Sequence, residues 1–310
     1  MHAVVTTNYG STPLFAKVDT PAPGPDDVRV RVHTSSVNGF DVALAAGYLK
    51  DLMEHRFPVV LGRDFAGTVD QVGENVTAFA PGHDVFGMVL TQPLNAGGCA
   101  EYVVVPQDHH IARMPAGLDH ATAGVLTLAG ASAMTAVDAA HVAGGDSVLV
   151  SGATGGVGAF AIQLAAATGA TVIATARPGA ATAHVGALGA AHTVDHTGDL
   201  AEQVRAIAPD GVDVVLHFAG DPLTLADLLV PGGRFVSLLG GGQEQLADRD
   251  ITATAVYASP GRELLDDLGA AVAAGRLAVP VQRRYPLAEA PQAFVDFAAG
   301  KLGKLAVTIG

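Results

Sequence analysis

Polar and apolar residues alternate with a period of two across Asp27-Val28-Arg29-Val30-Arg31-Val32, which predicts a strand with one buried face. The preceding Pro21-Ala22-Pro23-Gly24-Pro25 is rigid and poor in donors, so it reads as a surface connection. Further β-rich runs lie at 65–72, 84–90 and 100–105, and apolar residues at helical spacing predict one short helix over 40–52. Residues 1 to about 120 are thus mostly β. From about 123 the grammar changes. Strands are predicted at 147–151, 171–175, 192–194, 213–217, 234–239 and 251–256, with helices at 156–168, 178–188, 200–208 and 222–229 between them. This alternation implies parallel strands joined by right-handed crossovers, and six strands suit a doubly wound sheet of two three-stranded halves. After 261 come a helix over 263–274, a strand around 277–281 and a closing strand at 305–309. The predicted class is α/β, a doubly wound parallel sheet plus a mostly β domain.

Composition narrows the function. The 310 residues carry 17 Lys and Arg against 30 Asp and Glu, a formal net charge of −13, which argues against a nucleic-acid ligand. The single cysteine, Cys99, excludes an intramolecular disulfide and a cysteine-rich zinc site. The most apolar stretch, 159–176, is broken by Gln163 and Gly169 and is too short for a membrane span. The first residues lack the basic start and apolar core of a signal peptide. A soluble cytoplasmic protein with a small-molecule partner is expected.

The candidate chemistry begins at Ser147-Val148-Leu149-Val150-Ser151-Gly152-Ala153-Thr154-Gly155-Gly156-Val157-Gly158, an apolar strand, a glycine-rich turn and an immediate helical run. Bare glycines at 155 and 156 let a pyrophosphate approach the backbone, where the free N–H groups and positive end of a helix hold it. Residues Gly152, Ala153, Thr154, Gly155, Gly156 and Val157 are the expected cofactor contacts, and Gly158 permits close packing of helix on strand. The spacing is G-x-x-G-x-x-G rather than G-x-G-x-x-G. An NAD site needs an acidic residue after the next strand to accept from the ribose hydroxyl. Here that strand runs into Ala176-Arg177-Pro178. Arg177 either grips a 2′-phosphate, which favours NADPH, or is a solvated cation.

Other motifs follow in order: Ser36-Val37-Asn38-Gly39-Phe40-Asp41 with Gly47-Tyr48; Phe57-Pro58-Val59-Val60-Leu61-Gly62-Arg63-Asp64-Phe65-Ala66-Gly67; Gly97-Gly98-Cys99-Ala100-Glu101-Tyr102; Leu188-Gly189-Ala190-Ala191; Tyr285-Pro286-Leu287; and Gly303-Lys304. Together they resemble the medium-chain dehydrogenase/reductase superfamily, in its zinc-independent quinone oxidoreductase (zeta-crystallin-like) branch. The resemblance implies a discontinuous GroES-like (chaperonin-10-like) domain, 1–122 with 257–310, around a Rossmann domain of 123–256, an active site in the cleft and a homodimer. It implies NADPH-dependent hydride transfer to a small-molecule electron acceptor, a quinone or other activated carbonyl. Alternatives are an enoyl or alkenal double-bond reductase and an NADPH-binding protein without turnover.

The resemblance also assigns residues. Zinc-bearing relatives hold the metal through a cysteine and a histidine, where this chain resembles them with Asn38 and Arg63, neither a usual zinc ligand, so no metal is expected. Tyr48 is the implied donor to the acceptor oxygen, or else packs half-buried beside Phe57. Asn38 is implied to hydrogen-bond nicotinamide or substrate, and Asp41 to fix the local backbone. Ser132 is placed near the nicotinamide ribose or the phosphates, and His196 near the 2′-phosphate. Phe218, Ala219, Leu238 and Leu239 follow the fourth and fifth strands and would line the nicotinamide. Lys304 either reaches the cofactor or braces a turn. His217 departs from the acidic residue that relatives often carry. Cys99, with no cation beside it in sequence, is expected to be inert.

Overall fold

The computed structural model describes residues 1–240 and 243–310. The first part of the chain contains β1 (His2–Thr6), β2 (Leu14–Lys17), β3 (Asp27–Val37), α1 (Gly39–Ala46), β4 (Val59–Val60), β5 (Asp64–Val72), β6 (Asp84–Met88), β7 (Tyr102–Pro106), β8 (Ile111–Arg113) and α2 (His120–Ala123). Next come α3 (Thr127–Ala139), β9 (Ser147–Ser151), α4 (Gly156–Ala167), β10 (Thr171–Thr175), α5 (Ala180–Ala187), β11 (His192–Val194), α6 (Leu200–Ile207) and β12 (Val212–His217). The series continues with α7 (Pro222–Ala226), β13 (Leu229–Ser237), α8 (Gln243–Leu246) and β14 (Ile251–Ala255). It closes with α9 (Arg262–Ala273), β15 (Val281–Pro286), α10 (Ala290–Ala299) and β16 (Lys304–Thr308). The chain divides into two compact units, Met1–Ala131 with Ser259–Gly310, and Ser132–Ala258. The first junction falls inside α3, later than the change of pattern near 122.

In the first unit, seven strands form one sheet with β15, β16, β3, β5, β6 and β8 in order and β7 beside β3; β2, β1 and β4 form a second. The alternation in β3 buries Val28, Val30 and Val32 and leaves Arg29 and Arg31 less covered. Each fully buried valine contributes roughly 1.5–3 kcal/mol of burial free energy. The last strand, β16, pairs antiparallel with β3, setting Leu305 against Val37, so residues 259–310 complete the first unit.

The second unit is a six-stranded sheet in the order β11-β10-β9-β12-β13-β14, and every pair is parallel. Val148, Leu149 and Val150 on β9 and Val214, Val215 and Leu216 on β12 are wholly buried, the continuous apolar run of a strand covered on both faces. This is the doubly wound arrangement, with β9 opening one half and β12 the other.

Several elements differ from the pattern-based expectation; α3 was not anticipated, and three others show the physical reason. The helix predicted over 40–52 ends at Ala46, because Gly47 takes a left-handed φ of 85° and caps it. The strand expected around 277–281 lies at Val281–Pro286, its register set by β16. Helix α10 was not anticipated: Pro291 sits in its first turn, where the missing N–H costs nothing, and it buries only Ala290, Ala293 and Phe294.

Candidate active site

In the second unit, β9 delivers Ser151 to its carboxyl end, and the chain turns sharply at Gly152, whose φ is 67°. A Cβ there would lie 3.1 Å from the Phe218 carbonyl carbon, and one on Gly158 would lie 2.5 Å from the Gly152 oxygen. Both positions therefore require glycine. Gly155 caps α4 and no side chain satisfies the cap. The first-turn N–H groups of α4 thus have no side-chain acceptor, and the positive end of the helix dipole adds to them. Ala153 is buried behind the turn, while Thr154, Gly155 and Val157 are partly open. This cradle fits the pyrophosphate of a nicotinamide dinucleotide.

The loops after β10 and β11 adjoin, because Ala176 N–H donates to the Val194 carbonyl at 2.9 Å. Arg177 and His196 are both exposed there. The nearby carboxylate, Asp195, accepts from the backbone N–H of Thr197 (2.9 Å) and from its hydroxyl (2.8 Å). Those bonds hold its pKa below the usual range, with His196 and Arg177 adding to them. One of its oxygens, Oδ1, is thus held within its own turn. On the other side of β9, Phe218 N–H donates to Ser151 Oγ (3.1 Å) and Leu239 N–H to Ser237 Oγ (3.1 Å). Phe218 and Leu238 are half-buried, whereas Ala219 and Leu239 are exposed, which leaves an apolar edge at the carboxyl ends of β12 and β13. Ser132 is buried on α3.

The first unit gathers a buried polar cluster from four elements. Lys304, 1% exposed at the start of β16, donates to Asn38 Oδ1 and to Asp64 Oδ2, the latter at 3.2 Å. Asp64 Oδ2 also accepts from Asn38 Nδ2 (3.0 Å) and from the Ser36 hydroxyl, while its Oδ1 accepts the Leu128 N–H at 2.6 Å. Beside them Asp41 accepts the backbone N–H groups of Asn38 and Gly62, each at 2.9 Å. Arg63, wholly buried, lies 3.4 Å from Asp41 and donates to the carbonyls of Val60, Val89 and Ala96. Burial raises the Asp41 pKa, opposed by Arg63 and by the two backbone donors. Lys304 therefore braces a buried ionic network, rather than only a turn, and Asp41 holds two backbone positions.

Asn38 has both ends of its amide engaged, so it is a member of this network. Tyr48 stands apart, 79% exposed just beyond α1. The expected packing beside Phe57 is made instead by Tyr9, edge-on at 4.9 Å between ring centroids. Cys99 is buried against Ser35, and burial pushes its thiol up to about 12. The sequence alone assigns neither Ser36 nor Asp64 to this cluster. A signal was present: the charged pair Arg63-Asp64 interrupts an apolar run from Val59 to Ala66, where charges persist only if paired.

This donor set does not suit zinc. Asn38 and Arg63 are not ligand types for that metal, Arg63 and Lys304 bring two buried cations, and Asp64 is saturated by four donors. Among the described residues no group of three or more His, Cys, Asp or Glu is placed to hold a metal ion.

Comparison with known proteins places this geometry. The model of the alcohol dehydrogenase GroES-like domain matches residues 24–116, and that of zinc-binding dehydrogenase matches 188–307. A quinone oxidoreductase from Coxiella burnetii superposes with a TM-score of 0.90 at 29% identity, covering 100% of this chain and 99% of that one. An alcohol dehydrogenase superfamily protein from Novosphingobium aromaticivorans gives a TM-score of 0.87 at 30% identity, covering 100% of both. A mycocerosic acid synthase-like polyketide synthase of Mycobacterium tuberculosis is 34% identical over 95% of this chain, which spans only 15% of that protein. The glycine turn, the parallel sheet and the GroES-like unit, with these similarities, make the chain an oxidoreductase of the medium-chain dehydrogenase/reductase superfamily, with quinone oxidoreductases among its structural neighbours.

Proposed function

We propose that this protein is an NADPH-dependent, metal-independent reductase that transfers hydride to a quinone or another activated carbonyl compound. The observation that carries the reading is the uncapped amino end of α4 behind Gly152 and Gly155, with Arg177 exposed at the end of the neighbouring strand. The glycine turn receives the pyrophosphate, and Arg177 with His196 offers donors to a 2′-phosphate. The neighbouring carboxylate of Asp195 has one of its two oxygens, Oδ1, engaged by Thr197.

A bound nicotinamide supplies the hydride. The chain orients it, and the apolar residues Phe218, Ala219, Leu238 and Leu239 shield its face from water. Tyr48, with its phenol exposed, donates a proton to the oxygen on which negative charge develops. The ionic network of Asn38, Asp64 and Lys304 holds β3, β5 and β16 together within the first unit. A second reading, reduction of an activated carbon–carbon double bond in an enone, alkenal or thioester, is favoured by the similarity to polyketide synthases.

NADPH oxidation followed at steady state against a panel of quinones and enones separates the two. Turnover of quinones supports the first reading, and inactivity toward every quinone with turnover of an enone supports the second. Tight NADPH binding without turnover of any acceptor would refute both.

A further inference from the structure

His217 is the last residue of β12 and is 2% exposed, level with Ser151 on β9 and with Ser237 on β13. Its Nε2 lies 3.1 Å from the Gly220 carbonyl oxygen. A carbonyl only accepts, so Nε2 carries the proton, and in the neutral ring Nδ1 is the acceptor. That Nδ1 lies 2.9 Å from Ser237 Oγ, which therefore donates to it, and Ser237 Oγ in turn accepts the Leu239 N–H at 3.1 Å. One directed chain results, from Leu239 N–H through the Ser237 hydroxyl and the imidazole to Gly220. It ties the loop after β13 to the loop after β12. Burial favours the neutral ring by lowering the imidazole pKa, with the Gly220 carbonyl and the Asp221 carboxylate opposing.

The sheet order gives these two loops a place. The glycine turn follows β9; Arg177 and His196 follow β10 and β11 on one side of it, and β12 and β13 lie on the other. A dinucleotide with its pyrophosphate at α4 and its 2′-phosphate at Arg177 sets its nicotinamide half over the carboxyl ends of β12 and β13. We propose that His217 is a positioning residue that locks the 218–220 and 238–240 loops, outside any contact of its own with ligand, into the conformation that receives the nicotinamide half of the cofactor. The proposal rests on the dinucleotide reading above.

The test compares two probes by calorimetry: NADPH, and 2′-phospho-ADP-ribose, which shares everything but the nicotinamide. His217→Leu keeps the bulk of the side chain and removes both hydrogen bonds. It is expected to weaken NADPH about tenfold, as losing buried hydrogen bonds does, and to leave 2′-phospho-ADP-ribose within about twofold. His217→Gln, with one donor and one acceptor, should recover most of the NADPH affinity. Ser237→Ala, a smaller change that removes the middle link, should act in the same direction as His217→Leu, and it keeps the test in force if the leucine variant does not fold. Equal loss of both probes, or unchanged NADPH binding in His217→Leu and Ser237→Ala, would overturn the positioning role. Failure of the unaltered protein to bind either probe would sink the dinucleotide reading itself, and this proposal with it.

Discussion

Lys304 shows how much one residue can carry. Its ammonium is wholly inside the first unit, 3.2 Å from a carboxylate that is itself inaccessible. A buried pair of this kind is weak evidence of net stability, but removing one partner leaves the other charge uncompensated. Lys304→Met should therefore lower unfolding stability by about 3–5 kcal/mol in denaturant titration. Lys304→Met with Asp64→Asn should be less destabilised than the single lysine variant, since no lone charge remains. Arg177 is the opposite case, an exposed cation whose value lies in what it binds. Arg177→Ala should weaken NADPH far more than NADH, by about tenfold or more for a charge-assisted pair, with little change in stability. Equal losses for the two coenzymes would remove the 2′-phosphate role.

Elements show where local pattern is sufficient and where it is not. The strand β9, the turn and α4 were legible because each obeys a local rule: an apolar run, a left-handed position only glycine tolerates cheaply, and a helix opening with no side-chain cap. Helix α10 was not legible, because a proline in its first turn imitates a break and its buried stripe is only three residues wide. Just after α10, Lys301 lies 4.6 Å from the Phe297 ring and donates to the Gly303 carbonyl. Burial, reinforced by the charge of Lys304, lowers its pKa from 10.5 to about 7. Folded chains thus release this proton near pH 7 while unfolded chains keep it to about 10.5, so the unfolded state binds more protons between those values. The contribution of Lys301 to stability therefore rises with pH across that window. Lys301→Met should be most stabilising relative to the unaltered chain below pH 7, and its advantage should shrink toward pH 10.5 in parallel thermal melts.

At the scale of the whole molecule, charge and donor chemistry decide what the buried cluster can be. Two buried cations and a saturated carboxylate stand where a metal would need open, anionic or neutral ligands. Elemental analysis of purified protein should find zinc well below one ion per chain, and NADPH oxidation should survive chelators; one tightly held zinc per chain would overturn the metal-free mechanism. None of the helices among the described residues is long and apolar enough to cross a membrane. Taken alone, the sequence determined the alternation of strand and helix, the glycine turn with its demand for a left-handed backbone, and the lack of cysteine ligands, since all three are properties of neighbouring residues or of composition. Only the tertiary structure decided that Lys304 meets Asn38 across 266 positions, that β16 closes the sheet begun by β3, and that His217 joins two loops. The physical reason is that such contacts are chosen by which buried polar groups find partners once the sheets have formed, and no local periodicity records that choice.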